Sequence, residues 1–202
     1  MTRFVVTAAA VLCLATGFAG AAHATPQDQG ASKQGLVHAE PKVPVIVDGV
    51  RYEPKEIHRF DGRELYFVLD LTHSDVLLAF TSETGFRTAV TAQTAAYHDR
   101  AATASANQYA VYYSADELKG DWLRVNSGSG YNDLRAVARG CGIFGCAGDW
   151  NDVISSVEIH GYQYLYRDPG YGGGYFWVIG DGWVNLSTYG FDNAGSSLNV
   201  WW

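Results

Sequence analysis

The sequence predicts a mainly β protein, with a C-terminal antiparallel β-sandwich of two Greek-key motifs over residues 107–202 preceded by a small α+β module over residues 43–100. Three observations lead there. From Tyr109 the chain becomes aromatic- and glycine-rich, holds all six tryptophans, and runs in short alternating segments such as Tyr109-Ala110-Val111-Tyr112-Tyr113 and Tyr162-Gln163-Tyr164-Leu165-Tyr166; alternation of that length, broken by turns, fits strands of a two-sheet sandwich. A hairpin signature then occurs twice, as Tyr113–Leu118–Gly120 and Tyr166–Tyr171–Gly173. Finally, an oxygen-rich six-residue stretch follows each hairpin: Asn151-Asp152-Val153-Ile154-Ser155-Ser156 and, 41 positions on, Asp192-Asn193-Ala194-Gly195-Ser196-Ser197.

Taken in chain order, residues 1–24 have Arg3, an apolar run from Phe4 to Ala15 and small residues ending at Ala24, the layout of a cleaved secretory signal. The apolar run is too short for a membrane span, which needs about 20 apolar residues, so the mature chain is expected to be exported and without a membrane span. Residues 25–42 are polar and lack a hydrophobic period, which reads as a disordered leader. In residues 43–100, Val43–Val50, Arg51-Tyr52, Leu65–Leu71 and Val76–Phe80 read as short strands around Asp48-Gly49 and Asp61-Gly62 turns. Gly85–Thr103 has the Ala, Arg and Gln content of a helix. The acids and bases here (Glu53, Glu56, His58, Asp61, Glu64, His73, Asp75) show no catalytic spacing and read as solvated faces. The Ala/Thr/Ser-rich residues 101–106 read as a linker.

In the C-terminal segment, Gly173 follows the aromatic pair of its hairpin, where the chain must bend back, and only glycine takes positive φ without a Cβ penalty; Gly120 is placed alike. Tyr166 and Tyr171 are expected to stack as an aromatic corner. The order of parts, a Tyr-x-x-x-x-Tyr-x-Gly hairpin followed by Asp/Asn-Asp/Asn-x-x-Ser-Ser, resembles the βγ-crystallin Greek-key motif, which occurs in pairs within one domain. The resemblance covers roughly Gln108 to Trp202. The second copy fits throughout. The first has Leu118 in place of the usual aromatic and a longer middle, 31 positions from Gly120 to Asn151 against 19 from Gly173 to Asp192.

The two stretches consist of carboxylates, amides and hydroxyls, the hard oxygen donors that Ca²⁺ selects. One stretch turns only a few donors in one direction, whereas Ca²⁺ takes six to eight oxygens. In the resembled family the paired motifs cross and share each ion. Carried onto this sequence, that implies two Ca²⁺ ions held by Asp152, Ser155, Asn193 and Ser196, with the backbone carbonyls of Val153 and Ala194, while Asn151 and Asp192 ligate or brace the turns. Ser156 and Ser197 are expected to bond within the turn. With only Asp152 and Asp192 charged, the affinity expected is that of extracellular modules, about 10⁻⁴ to 10⁻³ M or somewhat tighter.

The formal charge of −7 becomes −8 when the signal and its Arg3 are removed, which disfavours nucleic acid as a partner. Cys141 and Cys146 make an even pair once Cys13 is cleaved away, and a structural disulfide is expected, stabilising by roughly 2 kcal/mol through so short a loop. A redox role needs an accessible low-pKa thiolate, and only Arg139 is nearby. No Gly-x-Ser-x-Gly and no zinc-protease His pair occur, and His160 stands alone among the histidines of the C-terminal segment. The chain is therefore read as a non-enzyme. The resemblance implies an alternative function, since secreted crystallin-like proteins include metalloprotease inhibitors and killer-toxin-like antimicrobial proteins. The Cys141–Cys146 loop, with Ile143 and Phe144, would then be inhibitory and face an extracellular protease or a cell-surface component.

Overall fold

Two long strands organise the fold, each belonging to two sheets. In the computed structural model, which describes residues 36–101, 108–143 and 145–201, the strands in chain order are β1 (Val45–Val47), β2 (Val50–Tyr52), β3 (Tyr66–Asp70), β4 (Leu77–Phe80), then, after helix α1 (Glu83–Ala101), β5 (Tyr109–Ala115), β6 (Lys119–Asn126), β7 (Ser129–Tyr131), β8 (Ala138–Arg139), β9 (Gly148–Asp149), β10 (Ser156–Asp168), β11 (Gly172–Asn185) and β12 (Ser197–Trp201). The first half of β10 pairs with β5, its second half with β12, and β11 runs antiparallel beside it throughout. Both change sheets at one place, where Gly161 pairs with Gly180. Their φ angles are 120° and 131°, a region closed to side chains bearing a Cβ.

The result is two Greek keys that exchange a strand. One sheet has the order β6-β5-β10-β11; in the other, β11-β10-β12 continues to β7. β7, from the first motif, thus sits beside the last strand of the second. The end of β11, from the second motif, sits beside the first half of β10. Alternation places Ala110, Tyr112, Val125, Val157, Ile159, Leu165, Phe176, Val178, Leu198 and Val200 between the sheets, all buried. Tyr112 donates its hydroxyl to Gln163 Oε1 inside this core, where Gln163 is fully buried. Burial without a countercharge pushes the Tyr112 phenol well above its ordinary pKa.

Residues 43–100 depart from the expected separate module. β3 pairs in parallel with β11 (Phe67 opposite Phe176, Ile179 opposite Asp70), and β4, β1 and β2 extend the sheet beyond it. Val45, Val47, Ile57, Phe60, Leu65, Phe67 and Leu69 enter the same core as Phe176 and Phe191. Strands rich in β-branched and aromatic residues were legible; their partner was not, because parallel pairing leaves no local turn signal. The β1–β2 turn is the expected Asp48-Gly49, both at positive φ. α1 starts and ends within two residues of expectation, and it covers the outer face of β3, β4 and β11 with Phe86 and Tyr97 against Val68, Trp177 and Ile179. A 3₁₀ helix at Pro54–Phe60, with Glu53 and Glu56 in a capping box, was not anticipated.

The expected disordered leader also needs correction over residues 36–42. His38 is buried, its backbone N–H donating to Asp61 Oδ1 at 2.9 Å and its Nε2 lying 2.9 Å from the Arg63 carbonyl, and Lys42 N–H reaches the Thr188 carbonyl at 2.8 Å. Burial holds the His38 imidazole below its ordinary pKa. Pairing of a backbone with fixed partners, which composition does not report, is what orders this segment. The secretory signal, residues 25–35 of the leader, nearly all of the linker and Phe144 lie outside the described residues. Among the described residues no helix is long and apolar enough to cross a membrane.

Candidate metal site

The two oxygen-rich stretches meet back to back and are related residue for residue. Asp152 N–H donates to the Gly195 carbonyl and Asn193 N–H to the Ile154 carbonyl, each at 3.0 Å. Asp152 and Asn193 both take left-handed backbone, with φ of 53° and 52°, which Asp and Asn tolerate better than other non-glycine residues. The side chains then cross. Ser196 Oγ lies 3.4 Å from Asp152 Oδ1, and Ser155 Oγ 3.5 Å from Asn193 Oδ1. Ser155 and Ser196 are buried while Asp152, Asp192 and Asn193 are exposed, so each pair joins a hydroxyl at the floor to a polar oxygen at the rim.

The oxygens of these two pairs, at 3.4 and 3.5 Å, stand farther apart than in a good hydroxyl hydrogen bond of about 2.5 to 3.0 Å. Ligands held 2.3 to 2.6 Å from one Ca²⁺ and at right angles to each other lie about 3.4 Å apart. Asn151 Oδ1 is buried with no hydrogen-bond partner, while its Nδ2 donates to Asp152 Oδ2 at 2.6 Å. Asn193 Nδ2 does the same for Asp192 Oδ2 at 3.0 Å. Asn151 and Asp192 therefore brace the rim residues next to them. The donor set fits a hard cation: oxygens only, with an orphaned one among them. Among the described residues no three His, Cys, Asp or Glu side chains converge on a point, so such a site depends on amide, hydroxyl and carbonyl oxygens. The backbone bonds that join the stretches use the Ile154 and Gly195 carbonyls, not those of Val153 and Ala194.

The second serines have a different partner from the one expected. Ser156 Oγ donates to the Ala115 carbonyl at 2.7 Å and accepts from Leu118 N–H at 3.0 Å. Ser197 Oγ donates to the Asp168 carbonyl at 2.7 Å and accepts from Tyr171 N–H at 3.0 Å. Each pins the folded hairpin of its own motif rather than its own turn. The hairpins match as well: Leu118 and Tyr171 have φ of 58° and 64°, Gly120 and Gly173 of 83° and 77°. Tyr166 and Tyr171 meet edge to face with centroids 5.2 Å apart, not stacked. The long middle of the first motif forms the β8–β9 ribbon, closed by the Cys141–Cys146 disulfide, with Ile143 92% exposed. His160, at the junction of the motifs, lies on β10 between Glu158 and Asp181, 3.3 Å from each.

Gly195 was missed as part of this site. A Cβ there would lie 2.5 Å from Leu165 Cδ1, so the second stretch can lie down on the core only with glycine at that position. The signal was present as the small fourth residue of the stretch, but spacing shows nothing of what lies beneath it.

No family model and no curated protein matches the chain. Among solved structures it is similar to a βγ-crystallin domain from work on the evolution of the eye-lens fold (23% identity, TM-score 0.38, 47% of this chain and 86% of that one), to an archaeal βγ-crystallin (25%, 0.35, 46% and 96%), and to one from Ciona intestinalis (20%, 0.35, 46% and 98%). Over residues 108–201 the chain forms two Greek-key motifs that exchange a strand, with crossed stretches and a serine pinning each folded hairpin.

Proposed function

We propose that this is an exported calcium-binding protein in which two Ca²⁺ ions stabilise a Greek-key sandwich that acts as a binding or structural module. The observation that carries this reading is the reciprocal crossing of the stretches, Ser196 with Asp152 and Ser155 with Asn193. Asp152, Asn193, Ser155 and Ser196 would hold the ions, and Asn151 Oδ1 is a further oxygen in need of a partner. The chemistry supplied is positive charge that draws rim oxygens of one motif and floor hydroxyls of the other together, so bound Ca²⁺ would favour the folded state by mass action. With a dissociation constant near 10 µM, millimolar calcium would contribute roughly 2.7 kcal/mol per site.

The test is a thermal melt of the full chain in excess chelator and in millimolar calcium. The melting temperature is expected to rise in calcium by roughly 5 °C or more, at about 2–4 °C per kcal/mol for a chain of this size. The rise should shrink in a Ser155→Ala, Ser196→Ala double variant, which removes both floor hydroxyls without adding bulk or charge at these buried positions. Equal melts of the wild-type chain in both conditions would reduce both stretches to turns.

A second reading, extracellular protease inhibition, is favoured by one observation, the exposure of Ile143 on a disulfide-closed loop. The chain is then expected to inhibit a thermolysin-like protease, with Ile143→Ala weakening inhibition at least tenfold. Full protease activity in the presence of excess wild-type chain would dismiss it.

A further inference from the structure

Within the described residues the two sheets are treated differently on their outer faces. α1 covers one and stops where Tyr97 donates its hydroxyl to Asp181 at 3.3 Å. The other sheet, β6-β5-β10-β11, exposes Trp122, Arg124, Asn126, Asp181 and Trp183 on its outer face, while Val111 and Ser156 at the centre of that face are buried. Its register sets out three rows across the four strands: Trp122, Tyr113, Ser156, Asn185; then Arg124, Val111, Glu158, Trp183; then Asn126, Tyr109, His160, Asp181. Trp122 is 66% exposed and Trp183 51%. Two exposed indoles on one regular sheet face offer flat apolar surface for a ligand that can reach both.

The polar groups beside the line that joins the indoles are held laterally. The Arg124 guanidinium lies 3.9 Å over the Tyr109 ring, and the Tyr109 and His160 rings are 4.7 Å apart. His160 sits between Glu158 and Asp181. The face measures about 20 Å across the strands and about 13 Å along them. That is roughly 250 Å², well short of the approximately 800 Å² each partner gives to a stable protein interface. Its charges, one arginine against two carboxylates, disfavour an acidic ligand.

We propose that this face binds a glycan, a chain of β-linked neutral or N-acetylated pyranose sugars laid across the four strands from Trp122 to Trp183. Such chains are extended and flat. Their C–H faces suit the indoles, and their hydroxyls suit planar donors and acceptors, here Arg124, Glu158, His160 and Asp181, in the combination of apolar surface and a few placed polar groups that ligand sites use. The ends of the site are the two tryptophans, about 16 Å apart across three strand spacings and one two-residue step, so several sugars are needed to bridge them. This assignment is independent of calcium, whose candidate ligands lie in the turns.

The experiment is calorimetric titration of the full chain with β-1,4-linked hexamers of glucose and of N-acetylglucosamine. At least one hexamer is expected to bind with a submillimolar dissociation constant. Trp122→Ala and Trp183→Ala should each weaken it about tenfold, equivalent to 1.4 kcal/mol, with unchanged melting temperature. Trp201→Ala, an exposed tryptophan on the other sheet, should leave binding as it was. The proposal is overturned if neither hexamer binds at millimolar concentration, or if the Trp122→Ala, Trp183→Ala double variant binds as well as wild type. It is overturned equally if the face instead drives self-association in sedimentation that the double variant abolishes without any sugar binding.

Discussion

A chain cut to residues 108–202 is expected to aggregate or to lack a cooperative melt, although it retains both Greek-key motifs and both oxygen-rich stretches. The cut removes β3 from the edge of β11 and bares the backbone of Phe176–Ile179, a ready template for pairing with another chain. On one side of the sheet it uncovers Phe176 and Phe191, which pack at 4.4 Å on each other and against Phe67. On the other it uncovers Trp177 and Ile179, both fully buried under α1. Each large apolar side chain returned to water costs about 1.5–3 kcal/mol, and four of them match the 5–15 kcal/mol of an ordinary domain. The measurement is sedimentation and circular dichroism of the fragment beside the full chain. A monomeric fragment melting within a few degrees of the full chain would show that the first half is an accessory and not part of the core.

How far the sequence could be read follows from where each signal resides. The hairpin corners were legible because one residue decides each of them: Gly120 and Gly173 are at positive φ as their position demands. The pairing of the oxygen-rich stretches was legible because the motif is repeated, and a repeat implies a two-fold relation. The Ser156 and Ser197 contacts were half legible; a hydroxyl in a turn signals a hydrogen bond but not whether its partner is local, and here it lies 41 and 29 residues away. The joint sheet was illegible. Val68 and Trp177 face each other in a parallel pair, and nothing in a run of apolar residues names the strand it will lie against. The ordering of residues 36–42 failed for the same reason, since His38 is fixed by Asp61 and Arg63, which composition cannot connect to it.

Gly161→Ala is expected to destabilise by roughly 3 kcal/mol, against about 1 kcal/mol for Gly128→Ala. Both glycines have positive φ, but they differ in kind. Gly128, at φ 76° with nothing within 4 Å of an added Cβ, lies near the left-handed well that other residues reach at a cost of about 1–2 kcal/mol. Gly161 at 120° lies beyond that well, and its Cβ would come 2.7 Å from Gln108 Oε1 and 3.0 Å from the Trp201 carbonyl. The backbone can yield little there, because β10 must leave one sheet and enter the other at this residue while keeping its pairing to Gly180. Gly180 at φ 131° is crowded by Leu71 Cβ at 2.8 Å, so the neighbouring strand cannot absorb the shift. Denaturant unfolding of the two variants beside wild type checks the ranking. Equal losses would mean that the bend relaxes, and that the passage between sheets is a flexible joint, not the fixed corner on which both motifs and their crossed stretches are registered.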